Sequence, residues 1–313
     1  MSALLFPGQG SQVVGMGSEF FTNFELVKKI FKEADEKLNY SISKIILEGP
    51  ENELQLTKNT QPAILTVSYS IFRVLKDEFN FDLSPFKYFA GHSLGEYSAL
   101  VCSESLNFSD ALYLLHERGK AMQEAAPVGV GSMIAVLGVK TDELIDLFKF
   151  RKENKGVCEI ANDNANGQII VSGNKEDVES LQKTLKQKKI KSIPLKVSAP
   201  FHCSLMKTAS INMTDKINNT KFNNPLFEII NNVTAKSEKN SNNFKKLLIE
   251  QIFSTVRWRE SIINMHEKGV GNFVEIGPGK ALSGMVKRTV KDVNCFSINS
   301  IADIKNFLNE FKK

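Results

Sequence analysis

The stretch Phe86-Lys87-Tyr88-Phe89-Ala90-Gly91-His92-Ser93-Leu94-Gly95-Glu96-Tyr97-Ser98-Ala99-Leu100-Val101 decides how the rest of the chain is read. Residues 86–90 predict a strand and 94–101 a helix, with Gly91-His92-Ser93-Leu94-Gly95 between them. That junction has the G-x-S-x-G spacing of a nucleophile elbow, where a sharp strand-to-helix turn lifts a serine oxygen above a sheet. Glycines flank the serine because such a turn leaves little room for Cβ atoms. A glycine-rich turn whose serine only caps the helix competes as a reading of the pentapeptide. Its place between strand and helix favours Ser93 as a nucleophile.

Upstream, residues 2–6 predict a short apolar strand ending in Pro7-Gly8-Gln9-Gly10-Ser11-Gln12, a loop placed where α/β proteins hold ligands. No G-K-[ST] follows, so it is not a phosphate loop. Helical patterns cover 24–38 and 42–48, and 63–75 predicts a buried helix with Pro62 in its first turn. Downstream, Ser109-Asp110 can cap a helix running to about residue 126.

From residue 128 the texture changes. Strands over 133–137, 157–161, 168–172 and 193–197, with helices over 142–150 and 175–188, follow the order β-α-β-β-α-β. This is the split βαβ, or ferredoxin-like, pattern, and Asn162-Asp163-Asn164-Ala165-Asn166-Gly167 reads as its polar hairpin turn. Residues 128–197 are therefore expected to form a small inserted subdomain. The larger domain, 1–127 and 198–313, is expected to be α/β-hydrolase-like, with a largely parallel sheet and the elbow. Its second part predicts strands at 227–231, 272–276 and 295–298, a solvated loop at 236–244, and helices at 247–253, 258–266, 280–290 and 301–311.

The 313 residues are 42% hydrophobic and 24% charged, an ordinary globular balance. A net charge of +5 permits an acidic partner, but no basic block is interleaved with aromatics, which argues against nucleic acid. No stretch approaches the about 20 apolar residues of a membrane span. The N-terminus lacks the basic start of a secretion signal and reads as a first strand. Cys102, Cys158, Cys203 and Cys295 are scattered without metal-ligand spacing, which predicts no metal site and a reducing, cytoplasmic setting.

A serine hydroxyl needs a base to take its proton, and the chain has four histidines. His92 is expected to point away along the elbow. His116 reads as a core or surface residue, and His266 as a solvated helix end. His202 follows a strand and opens a helix at the subdomain boundary, which makes it the preferred base. A helix-capping histidine buried at that seam is the competing reading. No Asp or Glu stands out to orient it, so an amide or backbone carbonyl at or near Gln251 is expected instead, against the habit of Ser-His-Asp hydrolases. The oxyanion hole falls to the N–H groups of Leu94 and Gln9, each such donor being worth about 3 kcal/mol in the transition state. A guanidinium near Ser93 would need an anion, and its fork suits a carboxylate, which makes Arg118 a candidate substrate ligand. Met122, four residues on along that helix, would adjoin a short acyl chain. The alternative is a surface Arg118 paired with Glu117 or Glu124.

Phe6-Pro7-Gly8-Gln9-Gly10-Ser11-Gln12, Gly91-His92-Ser93-Leu94-Gly95-Glu96-Tyr97, His116-Glu117-Arg118-Gly119, Phe201-His202 and Glu275-Ile276-Gly277-Pro278-Gly279 occur in this order. Together they resemble the malonyl-CoA:acyl carrier protein transacylases of bacterial fatty-acid synthesis and the acyltransferase domains of polyketide synthases, over nearly the whole chain. The resemblance implies Ser93 as the acylated nucleophile, His202 as its base, and Arg118 as the clamp on the malonyl carboxylate. It implies oxyanion donors at Gln9 and Leu94, a helix glutamine at Gln251 near the histidine, and Asn162 close to the substrate. Phe201, before the histidine, leans towards malonyl. The implied reaction is ping-pong, from malonyl-CoA to the phosphopantetheine thiol of acyl carrier protein, with no metal or redox cofactor, in a cytoplasmic monomer. Lys186, Lys188, Lys189 and Lys191, with Arg257 and Arg259 elsewhere, could meet the acidic carrier, or only keep a surface wet. A serine thioesterase or lipase-like hydrolase, and a catalytically idle carrier-binding domain, are the rival readings. Arg118 argues against the first, and the intact set of Ser93, His202, Arg118 and Gln9 against the second.

Overall fold

The computed structural model describes residues 1–127, 129–149, 156–195, 197 and 199–311. Its strands are β1 (Ser2–Phe6), β2 (Phe86–Gly91), β3 (Gly131–Leu137), β4 (Cys158–Ala165), β5 (Gln168–Asn174), β6 (Lys191–Pro194), β7 (Glu228–Ile230), β8 (Ser237–Glu238), β9 (Asn272–Ile276) and β10 (Asn294–Ile298). The larger sheet has six strands in the order β10-β9-β1-β2-β7-β8, parallel throughout except for the edge pair β7 and β8. A parallel sheet is covered on both faces, so its central strands carry apolar side chains towards both, as residues 3–6 of β1 and 88–90 of β2 do. In β1, Leu4 and Phe6 join one core with Phe72 and Phe89. Ala3 and Leu5 join the other with Tyr88, Trp258 and Phe273.

The smaller sheet is antiparallel, in the order β4-β5-β3-β6. Ile134 and Val136 of β3 and Ile169 and Val171 of β5 pack under the helices Thr141–Lys149 and Lys175–Gln187. The alternate residues Met133, Ala135 and Ile170 face the other way and merge with the main core. The insert therefore closes over the larger domain with an apolar underside. The fold class is as expected, a mostly parallel sheet core with an inserted antiparallel sheet. The expected boundary residues Val128 and Ser198 lie outside the described residues.

Several local expectations are corrected. Asn162, Asp163 and Asn164 are not turn residues but buried positions of β4, and only Asn166 and Gly167 form the turn. The stretch 236–244 is not all loop, because it holds β8 and the start of the helix Ser241–Gln251, capped by the Asn240 side chain. The last strand of the insert is β6, ending at Pro194 rather than 197, although Leu195 N–H still donates to the Met133 carbonyl at 2.9 Å, and Lys196 lies outside the described residues. Pro62 lies inside the helix Thr57–Arg73 and not in its first turn. It leaves the Lys58 carbonyl without its helical donor, and His116 Nδ1 lies 3.2 Å from that oxygen and supplies one. His116 is thus a helix-mending residue. Among the described residues, no helix is long and apolar enough to cross a membrane.

Candidate active site

Ser93 follows β2 with a φ of 53°, in the left-handed region that a residue with a Cβ seldom occupies. A Cβ on Gly91 would lie 1.8 Å from the Gly95 carbonyl oxygen, and one on Gly95 would lie 2.3 Å from that of Phe6. Neither position admits a side chain. The strained turn is pinned by hydrogen bonds. Ser93 N–H donates to Asn232 Oδ1 at 2.7 Å, Asn232 Nδ2 donates to the Gly91 carbonyl at 2.8 Å, and His92 N–H donates to the Phe6 carbonyl at 3.0 Å.

His202 also has a left-handed backbone, with φ 54°. The Ser93 hydroxyl donates to its Nε2 at 2.7 Å, and its Nδ1–H donates to the main-chain oxygen of Gln251 at 2.9 Å. A carbonyl can only accept, so the second bond holds the tautomer whose Nε2 is free to take a proton. Burial, and then the positive charge of Arg118, push the imidazole pKa down to about 3. His202 is therefore neutral at ordinary pH.

Arg118, on the helix Phe108–Glu124, is 1% exposed. Its Nη1 donates to Gln61 Oε1 at 2.8 Å, and its Nη2 to Gln251 Oε1 at 2.9 Å and Ser93 Oγ at 3.2 Å. Its Nε has no partner among the described residues. Glu117 pairs with Lys216 and Glu124 is exposed, so the surface-pair alternative does not describe this arginine. A buried guanidinium bonded only to neutral oxygens is poised for an anion.

These groups meet in a cavity of about 250 Å³, also lined by Gln9, Leu94, Met122, Asn162 and Phe201. The backbone N–H groups of Gln9 and Leu94 have no acceptor among the described residues. Gln251 does not line the cavity, and supports His202 and Arg118 from behind. His92 does not point away, because it lines the cavity, with its Nε2 at 2.7 Å from Asn164 Oδ1. His266 lies elsewhere, near the Val270 carbonyl. Lys186, Lys189 and Lys191 border a separate surface depression. Arg257 and Arg259 are not free cations, since Arg257 pairs with Glu260 and Arg259 forks onto the buried carboxylate of Asp163. Cys102, Cys203 and Cys295 are in no disulfide. Among the described residues, no cluster of three or more His, Cys, Asp or Glu could hold a metal ion.

Residues 3–312 match the acyl transferase domain family. A malonyl CoA-acyl carrier protein transacylase of Haemophilus influenzae is 41% identical over 310 residues, covering 99% of this chain and 98% of that protein. The chain belongs to the malonyl-CoA:acyl carrier protein transacylase family. The Bacillus subtilis transacylase is 39% identical over 99% of this chain and 97% of its own length. The solved acyl-carrier-protein-S-malonyltransferase of Bartonella henselae superposes with a TM-score of 0.95 at 37% identity, covering 100% of this chain and 99% of that one. A malonyl-transacylase solved in complex with a type II polyketide-synthase acyl-carrier protein gives 0.94 at 38% identity, covering 98% and 99%.

In this transacylase the sequence reading missed Glu96, Gln61, Asn231, Asn232 and Asn164. Glu96 stands inside the quoted elbow motif and is wholly buried on an apolar helix, which was a usable signal. The asparagines carried none, because their partners lie far away in sequence.

Proposed function

We propose that this chain transfers a malonyl group from malonyl-CoA to the phosphopantetheine thiol of an acyl carrier protein, through an ester on Ser93. The reading rests on one observation: a single serine oxygen lies within 2.7 Å of a neutral imidazole and 3.2 Å of a buried guanidinium. The first is what makes a hydroxyl nucleophilic. The second places a carboxylate-binding group one short acyl chain from the reacting carbon.

In the first half-reaction Arg118 receives the malonyl carboxylate, and Met122 and Phe201 flank the chain. Ser93 Oγ attacks the thioester carbonyl as its proton passes to His202 Nε2. The oxyanion accepts hydrogen bonds from the Gln9 and Leu94 N–H groups. The C–S bond breaks, and His202 returns its proton to the departing thiolate. An imidazole buried this deeply holds the extra proton poorly, which favours the return. In the second half-reaction His202 takes the proton of the carrier thiol, the thiolate attacks the malonyl ester carbonyl, the bond to Ser93 Oγ breaks, and His202 returns the proton to that oxygen. One thioester replaces another with little net free energy, so the main requirement is to exclude water. Met133, Ile170 and Leu195 of the insert cover the site for that purpose. The exposed Lys186, Lys188, Lys189 and Lys191 would raise the encounter rate with an acidic carrier.

Incubation with malonyl-CoA should add one malonyl increment to the peptide carrying Ser93, and acyl carrier protein should then remove it. Rapid release of malonate without a carrier would point to the hydrolase reading instead.

A further inference from the structure

Glu96 is fully buried in the first turn of the helix Gly95–Cys102, just after Ser93, and the mechanism above does not use it. Its Oε1 accepts from Asn231 Nδ2 at 2.5 Å, and its Oε2 from Asn232 N–H at 3.0 Å and Gln251 Nε2 at 2.7 Å. Every neighbour is a donor. Asn231 cannot flip, because its Oδ1 already accepts from the N–H groups of Val233 and Thr234. Asn232 is held between Ser93 N–H and the Gly91 carbonyl. Gln251 is the adjustable member. Its Nε2 faces Glu96 and the Ser93 carbonyl, which turns its Oε1 towards Arg118 Nη2, while its main-chain oxygen holds His202. With no acceptor facing it, the hydrogen bonds around Glu96 favour the carboxylate, while burial opposes it. As a carboxylate it is the counter-charge of Arg118, relayed through one amide. Burial raises its pKa to about 7, against the pull of those donors and of Arg118.

We infer that Glu96 is a positioning residue: by accepting from Gln251 it fixes the side-chain amide that sets Arg118 against Ser93, and it anchors the Ser93 turn through Asn232. The inference rests on the reading of Ser93 as the acylated residue.

The test compares full-length wild type, E96Q, E96D, Q251A and E96Q/Q251A, each first checked for folding by thermal melting. Single-turnover malonyl loading of Ser93 is followed by intact mass, and a fluorophosphonate, which needs no carboxylate clamp, reports the Ser93–His202 pair separately. A glutamine at 96 must turn an N–H₂ towards one of the donors. E96Q should therefore load about 10²-fold more slowly, the loss expected of small misplacements, with half-saturation by malonyl-CoA raised because Arg118 meets the carboxylate. Its fluorophosphonate labelling should fall in parallel. The double variant should be no slower than the worse single one, because both act through the same amide. E96D keeps the charge but shortens the reach, and a loss of about tenfold is expected; it carries the test if E96Q does not fold. A folded E96Q or E96D within threefold of wild type, or multiplying losses in the double variant, would overturn the inference. Wild type that labels with fluorophosphonate but never takes malonyl would overturn the proposed function and leave the role of Glu96 open to the labelling comparison.

Discussion

The floor of the cavity, at the carboxyl ends of β1 and β2, holds Ser93 in a lattice of buried hydrogen bonds to Asn232, His202 and Arg118. Its roof, the underside of the small sheet, offers Met133, Ile170 and Leu195, with Asn162 and Asn164 at the β4 margin as polar exceptions. The floor even tolerates left-handed backbone at both Ser93 and His202, which persists only where surrounding contacts over-determine it. The contrast separates two tasks. Charge that develops during a reaction is stabilised by dipoles already fixed in place. Keeping water out asks only for apolar shape.

The sharpest attempt to break this contrast is on the floor. His202→Ala should lower the rate of malonyl loading by about 10³- to 10⁴-fold, as loss of a general base does. A loss under tenfold in a folded variant would mean that the imidazole is a capping group after all.

Arg118→Ala should come next, and selectively. Malonyl transfer is expected to fall about 10²-fold, while acetyl transfer stays level or improves, because only malonyl brings a carboxylate for the guanidinium. Equal losses for the two donors would remove Arg118 from substrate recognition.

On the roof, Ile170→Ala should behave differently. Truncating a side chain this buried (6% exposed) is expected to cost about 2–4 kcal/mol of stability. Loading should change by no more than about threefold, since no developing charge is touched. Carrier-independent hydrolysis of the malonyl enzyme should rise. A fall in loading as deep as that of His202→Ala would erase the distinction between the two walls.

The smallest effect concerns pH. The folded pKa of His202, about 3, lies below the ordinary 6.5, so its contribution to stability is full above pH 6.5 and is lost as pH falls towards 3. That of Glu96, about 7 against 4.5, has the opposite sign, being full below pH 4.5 and lost as pH rises through 7. In the overlap the two offset each other. Melting curves of His202→Gln should therefore show stability falling as pH rises from 4.5 to 7, where wild type is flatter. Parallel profiles for the two proteins would contradict the buried, neutral imidazole.

Much of this arrangement could be read before any coordinates. The elbow was legible because G-x-S-x-G between a strand and a helix is a local pattern, whereas spacing left Arg118 open between a substrate ligand and a surface ion pair, and the resemblance favoured the first. The lattice behind them was not legible. Glu96 reaches Asn232 across 136 positions and Gln251 across 155, and no local preference encodes such pairs. The run Asn162-Asp163-Asn164 misled for the same reason. Its polarity looks like a turn until Arg259, from beyond the insert, answers Asp163, and His92 answers Asn164. Lys236 to Phe244 misled by composition alone, since an asparagine can cap a helix as readily as populate a loop.

The amino-acid sequence alone determined the layered α/β class, the inserted β-α-β-β-α-β unit and the elbow that carries Ser93, because periodicity and the G-x-S-x-G spacing are short-range properties. Tertiary structure alone decided that the imidazole at 202 leans on a main-chain carbonyl, that the guanidinium at 118 is wholly buried, and that Glu96 stands behind both. Such relations depend on distances between side chains that only a closed chain brings together, in surroundings where burial has made each unpaired polar atom costly.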